Sequence, residues 1–115
     1  MLPVAEFELL VEKALGCIPL RFRRRMNNVA IVVEQEPPRA GLLGLYQGRP
    51  LASRSVFDGF TMPDKITIFQ GPHERLSRTR AELEQMVVDT VWHEIAHHFG
   101  MDEKRVRRAE RRRGS

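Results

Sequence analysis

Apolar residues recur at helical spacing in two segments of this chain. In the first, Val4–Leu15, glutamates and a lysine separate the apolar positions. This pattern predicts an amphipathic helix that ends at Gly16. The second segment begins near Ser77 and contains neither proline nor glycine before Gly100. It predicts a single helix of more than about 20 residues.

Three short apolar runs lie between the predicted helices and predict strands. They are Val29–Val33, Leu42–Tyr46 and Ile66–Phe69. Each is bounded by turn-forming residues and is short enough for a strand of a small sheet. Because Ile66–Phe69 directly precedes the second helix, we expect it to be the sheet edge that pairs with an extended peptide.

Two other segments carry chemistry-bearing residues without forming a motif. The basic run Arg21–Arg25 contains one large apolar residue, Phe22, and predicts a solvated loop edge rather than a phosphate contact. Cys17 follows the first predicted helix and has no histidine near it in the sequence. We expect it to be a small buried apolar residue.

Composition is that of one globular domain. The chain has 115 residues, of which 42% are hydrophobic and 30% charged. A single cysteine excludes an internal disulfide and a cysteine-rich zinc knuckle. The first residues lack the basic start of a signal peptide, and no apolar run approaches the roughly 20 residues of a membrane span. We therefore predict a cytoplasmic protein without a membrane partner.

The positive charge is concentrated at the C-terminus. Residues 104–115 hold seven of the 19 basic residues and one acid, so the rest of the chain carries a net charge of −2. We predict a single domain over residues 1–110 and a flexible basic tail over residues 111–115. Nucleic acid is a conceivable partner of this tail, but the near-neutral body does not favour it.

The candidate chemistry lies in the second helix, where the sequence reads His93-Glu94-Ile95-Ala96-His97. Two histidines four residues apart lie one turn apart on the same helix face, so both imidazoles can bind one zinc ion. On a helical wheel they share a stripe with Met86 and Thr90, at the edge of the buried face. Glu94 is turned toward the open coordination position and is the predicted general base.

A third ligand requires the chain to reverse, which Gly100 permits because glycine accepts the left-handed conformation. Glu103 lies ten residues after His93, the offset at which the extended motif places its third ligand. Asp102 is the alternative, since helix ends are uncertain by a residue. The predicted cofactor is one Zn²⁺ per chain.

Other residues near the motif have competing interpretations. His98 is turned too far from His93 to share its metal, so we expect a surface residue or one that supports the site from behind. His73 lies in a predicted loop after Gly71-Pro72, where it either approaches the site or has no part in it. We expect Trp92 and Phe99 in the core. Guesses for an oxyanion donor, none backed by a motif, are Tyr46, His73 and Arg54.

The run His93–Glu103 resembles the minimal zincins, a family of small bacterial zincin-like metallopeptidases first known as a domain of unknown function. The likeness extends to Gly44–Gly48 and Ile66–Pro72. It implies an α+β fold, with a small mixed β-sheet packed on an N-terminal helix and a long active-site helix, and a short C-terminal helix. It also implies an acidic third zinc ligand, usually aspartate at the position of Glu103.

The favoured function is therefore a zinc-dependent metallopeptidase that hydrolyses a peptide or protein substrate, with Glu94 as general base. The alternative is a non-catalytic, metal-stabilised binding module whose arginine-rich tail binds nucleic acid or an acidic partner. An open fourth coordination position favours catalysis, and a closed one favours a structural site. The oligomeric state is not predicted.

Overall fold

The computed structural model describes residues 2–26, 29–48 and 64–100. Within these ranges the chain forms four helices and three strands. In chain order they are α1 Val4–Gly16, α2 Leu20–Arg23, β1 Val29–Glu34, β2 Gly44–Gln47, β3 Asp64–Phe69, α3 Gln70–Leu76 and α4 Arg80–His98. None of the helices in these ranges is long and apolar enough to cross a membrane.

The strands form a mixed sheet in the order β1-β3-β2. β1 runs parallel to β3, and β2 runs antiparallel to it. The strand containing Ile66–Phe69 is therefore central, and its prediction as the sheet edge is wrong. Ile66, Ile68 and Phe69 are at most 1% exposed. In the described part of the chain, β2 is the edge beside the long helix.

Helix α4 lies between the sheet and α1, and its contacts with both form the core. α1 buries Phe7, Leu10, Val11 and Ala14, which confirms the predicted amphipathic helix. Burying one large apolar side chain stabilises a fold by about 1.5–3 kcal/mol. The buried core residues outside α1 are Ile18, Ile66, Ile68, Leu83, Val87, Val91, Trp92 and Ile95.

Two expectations near α1 are wrong. Cys17 is exposed, because α1 ends at Gly16 and the following turn directs Ile18 into the core instead. The basic run is solvated as expected, but the predicted loop is wrong, since its first residues form α2 after Pro19. The Phe22 ring packs against Trp92 and Phe99, with centroids 5.5 Å apart in each case.

The ends of the last two helices differ from the predicted boundaries. α3 occupies the predicted loop around His73, because Pro72 falls in its first turn, where a missing N–H costs nothing. Ser77 ends α3 rather than starting α4. Thr79 caps α4, and its hydroxyl accepts a hydrogen bond of 3.1 Å from the Glu82 N–H. α4 therefore has 19 residues, fewer than predicted.

The predicted α+β fold is confirmed, with a small mixed sheet packed on an N-terminal helix and a long helix. The expected short C-terminal helix, the domain boundary at residue 110 and the basic tail lie outside the described residues and stay predictions. The predicted cytoplasmic location also stays a prediction.

Candidate active site

The two motif histidines converge on the outer face of α4. The Nε2 atoms of His93 and His97 are 3.1 Å apart, and the ring planes meet at 70°. Two zinc-bound nitrogens at about 2.0–2.1 Å and a tetrahedral angle lie about 3.3 Å from each other. The pair therefore has nearly the separation that a shared tetrahedral zinc requires.

Burial along α4 separates these histidines from their neighbours. From Thr90 to His98, every position is buried except His93 and His97, which are half-buried. The sheet, α1 and α2 cover the rest of this part of the helix, as the contacts of Trp92 and Ile95 with the core show. The two imidazoles thus lie at the rim of a buried surface, where a metal is held and also reached from solvent.

Glu94 lies under the edge strand. Its side chain is 8% exposed and packs against the backbone of Gly44 in β2. A Cβ atom at Gly44 would lie 2.9 Å from Glu94 Cγ and 2.8 Å from Thr90 Cγ2. Only glycine permits this approach. The sequence placed Gly44 in a predicted strand and in the family resemblance but assigned it no role, although glycine inside a strand is typical of a close backbone approach.

A groove of about 340 Å³ runs between the start of β2 and α4. One wall is the segment Gly41–Gly44, and the other carries Asp89, Thr90, His93 and Glu94. The groove therefore brings one of the motif histidines and the candidate base to the same open surface as the sheet edge. Its mixed polar and apolar lining suits an extended peptide.

His73 approaches this site from the interior. It is completely buried, and its Nδ1 lies 2.6 Å from the Phe69 carbonyl oxygen, which can only accept. Nδ1 therefore carries the proton, and Nε2 accepts from the Thr90 hydroxyl at 2.8 Å. Burial lowers the pKa of His73 below its usual value, so the ring is neutral. His73 supports the groove through Thr90 and does not reach it.

His98 is completely buried, so the expectation of a surface residue is wrong and only a role behind the site remains. Its Nδ1 lies 2.8 Å from Asp64 Oδ2, and the same oxygen accepts a 2.7 Å hydrogen bond from the Tyr46 hydroxyl. This network links α4, β3 and β2. Tyr46 does not line the groove, so the structure does not favour it as an oxyanion donor.

The remaining candidate residues fall outside the described ranges. Glu103 and its alternative Asp102 follow Gly100, whose φ of +82° is the left-handed conformation expected at the chain reversal. Arg54 also lies outside. Within residues 2–26, 29–48 and 64–100, no three His, Cys, Asp or Glu side chains are grouped to hold a metal. The third ligand therefore stays a prediction.

Two comparisons with known proteins found a similar family or structure. A family model described as zincin-like metallopeptidase matches residues 26–113. The chain is also similar to a solved structure of a conserved hypothetical protein from Thermo thermophilus, with a TM-score of 0.58 and 28% identity, over 85% of this chain and 94% of that one. No curated protein matches. The chain belongs to the zincin-like metallopeptidase family.

Proposed function

We propose that this protein is a zinc-dependent peptidase with Glu94 as its general base. The supporting observation is the 3.1 Å approach of the His93 and His97 Nε2 atoms beside a groove that also contains Glu94. Imidazole nitrogens are suitable zinc ligands, and a carboxylate is the usual complement in two-histidine catalytic sites. Glu103 is the proposed third ligand, with Asp102 as its rival, and each chain holds one zinc ion.

The bound zinc would polarise the scissile carbonyl and make water more acidic. Glu94 removes a proton from the attacking water and delivers it to the leaving amine nitrogen. Its contact with Gly44 keeps the side chain in place between the edge strand and the helix. A base held in this way loses little conformational freedom during the reaction.

The substrate backbone pairs with the edge of β2. The Leu43 carbonyl accepts from the Phe69 N–H at 3.0 Å, so Leu43 belongs to a hydrogen-bonded pair of the antiparallel ladder. Gly44, opposite Ile68, is then in the alternate pair, and its N–H and C=O face away from β3. These groups lie beside Glu94 and can bind an extended peptide by strand addition.

The decisive experiment is Glu94→Gln, which keeps the shape of the side chain and removes its basicity. Zinc content, measured by mass spectrometry of the purified protein, should stay at one ion per chain. Cleavage of a peptide library should fall by at least about 100-fold. Glu84→Gln, at a half-buried glutamate of the same helix that does not line the groove, is the matched control and should retain activity. Full activity in Glu94→Gln would refute the mechanism.

The non-catalytic binding module is not favoured, because the chain belongs to a metallopeptidase family. If zinc is present in the purified protein but no peptide is cleaved, and deletion of residues 104–115 abolishes binding to nucleic acid, the binding module would replace the peptidase. Salt would weaken such binding steeply.

A further inference from the structure

We infer that a second depression, next to the catalytic groove, binds an apolar side chain of the same peptide. This inference rests on the proposed function, because it concerns which peptides the enzyme prefers. The depression has a volume of about 400 Å³ and is formed by α3 and by the segment that connects β1 to β2. It is the candidate determinant of sequence preference.

The depression adjoins the catalytic groove, since Gly41 and Leu43 line both. The ladder bond from Phe69 to the Leu43 carbonyl fixes the shared wall to the sheet. An extended peptide advances about 3.3 Å per residue. A peptide lying along β2 with its scissile bond at Glu94 therefore reaches the depression within a few residues.

The walls of the depression are held together. Arg75 of α3 donates two hydrogen bonds of 2.8 Å to the two carboxylate oxygens of Glu36, which follows β1. The Gly71 N–H donates to the Gln35 carbonyl at 2.8 Å. A Cβ atom at Gly71 would collide with the Glu36 carboxylate, so the two walls approach as closely as glycine allows. The depression is therefore preformed.

The lining selects an apolar occupant. Most of its lining is apolar and comes from Pro37, Ala40, Leu43, Pro72 and Leu76. The side chain of Leu76 is largely exposed, at 64%. The charges at the rim offset each other. The hydrogen bonds between them lower the pKa of Glu36 and raise that of Arg75, so both stay ionised as a pair. No net charge remains to attract a charged side chain, and burial of leucine or phenylalanine is favourable.

Two substitutions test this depression without touching the core. Ala40→Trp fills it from an exposed position, and Leu76→Gln removes its most exposed apolar side chain. Leu9→Gln is the matched control, because Leu9 is 61% exposed on α1 and does not line either depression. The probes are fluorescein-labelled alanine-rich peptides that carry one leucine at successive positions, with an all-alanine peptide as reference.

The wild-type enzyme should cleave peptides with leucine at one position near the scissile bond about tenfold faster in kcat/KM than the all-alanine peptide. Ala40→Trp and Leu76→Gln should each reduce this preference several-fold. Leu9→Gln should behave like the wild type with every peptide.

Binding to the Glu94→Gln protein, followed by fluorescence anisotropy, separates this inference from the proposed function. If the wild type cleaves peptides but neither variant changes the leucine preference, the inference is overturned and the peptidase stands. If the wild type cleaves no peptide, the peptidase fails. The binding measurement then tests the inference about the depression by itself. Tighter binding of leucine peptides that Ala40→Trp abolishes would support the inference, and equal binding of all peptides would overturn it.

Discussion

The four histidines form two pairs with opposite environments. His93 and His97 are half-buried at the rim of the groove and turn their Nε2 atoms toward each other. His73 and His98 are completely buried, and each is held by oxygen atoms of other elements. Of the two pairs, the rim pair is the one with the solvent exposure and the converging nitrogen atoms that the proposed zinc site requires. The interior pair instead fixes the groove and the end of α4.

The largest expected effect comes from the rim pair. His97→Ala should reduce zinc affinity by more than about 100-fold, because it removes a proposed direct ligand, and the loss of an indirect contact already costs about 10–100-fold. Helix content should change little, because His97 is only half-buried. Zinc content and circular dichroism check both statements. If His97→Ala unfolded but kept its zinc, the rim pair would have the structural role that is assigned to the interior pair.

The next largest effect is expected from Gly44→Ala, which crowds the groove without replacing a proposed zinc ligand. The added methyl group would push against Thr90 and Glu94 and should cost about 1–3 kcal/mol of stability. It should also lower kcat by about tenfold or more, since small displacements of a catalytic group are costly. Gly16→Ala is the control, because a Cβ there meets nothing within 4 Å. Equal activity of the two variants would contradict the contact.

The interior network should affect stability more than zinc binding. Asp64→Asn weakens the acceptor of two hydrogen bonds and should cost about 1–3 kcal/mol in urea denaturation. Tyr46→Phe removes only one of the two and should cost about 1 kcal/mol. Zinc content should stay at the wild-type level in both. A larger loss of stability in Tyr46→Phe than in Asp64→Asn would show that the stabilisation does not come from the hydrogen bonds that Asp64 accepts.

The smallest expected effect is on the pH dependence of the free energy of unfolding. Burial lowers the folded pKa of His73 below the unfolded value of 6.5, so the unfolded chain takes up the proton first. The stability that the neutral ring contributes is fully present above pH 6.5 and is lost as the pH falls through the lower folded pKa. The free energy of unfolding of His73→Gln should therefore fall less with acid than that of the wild type. Parallel curves would show that His73 does not titrate on unfolding.

Sequence patterns predicted the local features well. The spacing of His93 and His97 determines their shared face, and the apolar positions of α1 determine its buried side. Features that depend on contacts between residues distant in sequence were not predicted. Whether β3 is central depends on both neighbouring strands, and a helical wheel with one core arc cannot show that α4 is covered on several sides near His98. α3 was missed because Gly71-Pro72 is also typical of a turn.

The site combines contacts of very different range along the chain. His93 and His97 are four residues apart, so a single helical turn brings them together, and an otherwise unfolded chain would retain a weak affinity for the proposed zinc ion. The contact between Gly44 and Glu94 joins residues that are far apart in sequence and requires β2 to have docked on α4. During refolding, metal uptake should therefore precede peptidase activity, and excess zinc should stabilise the folded state less than its affinity for that state suggests.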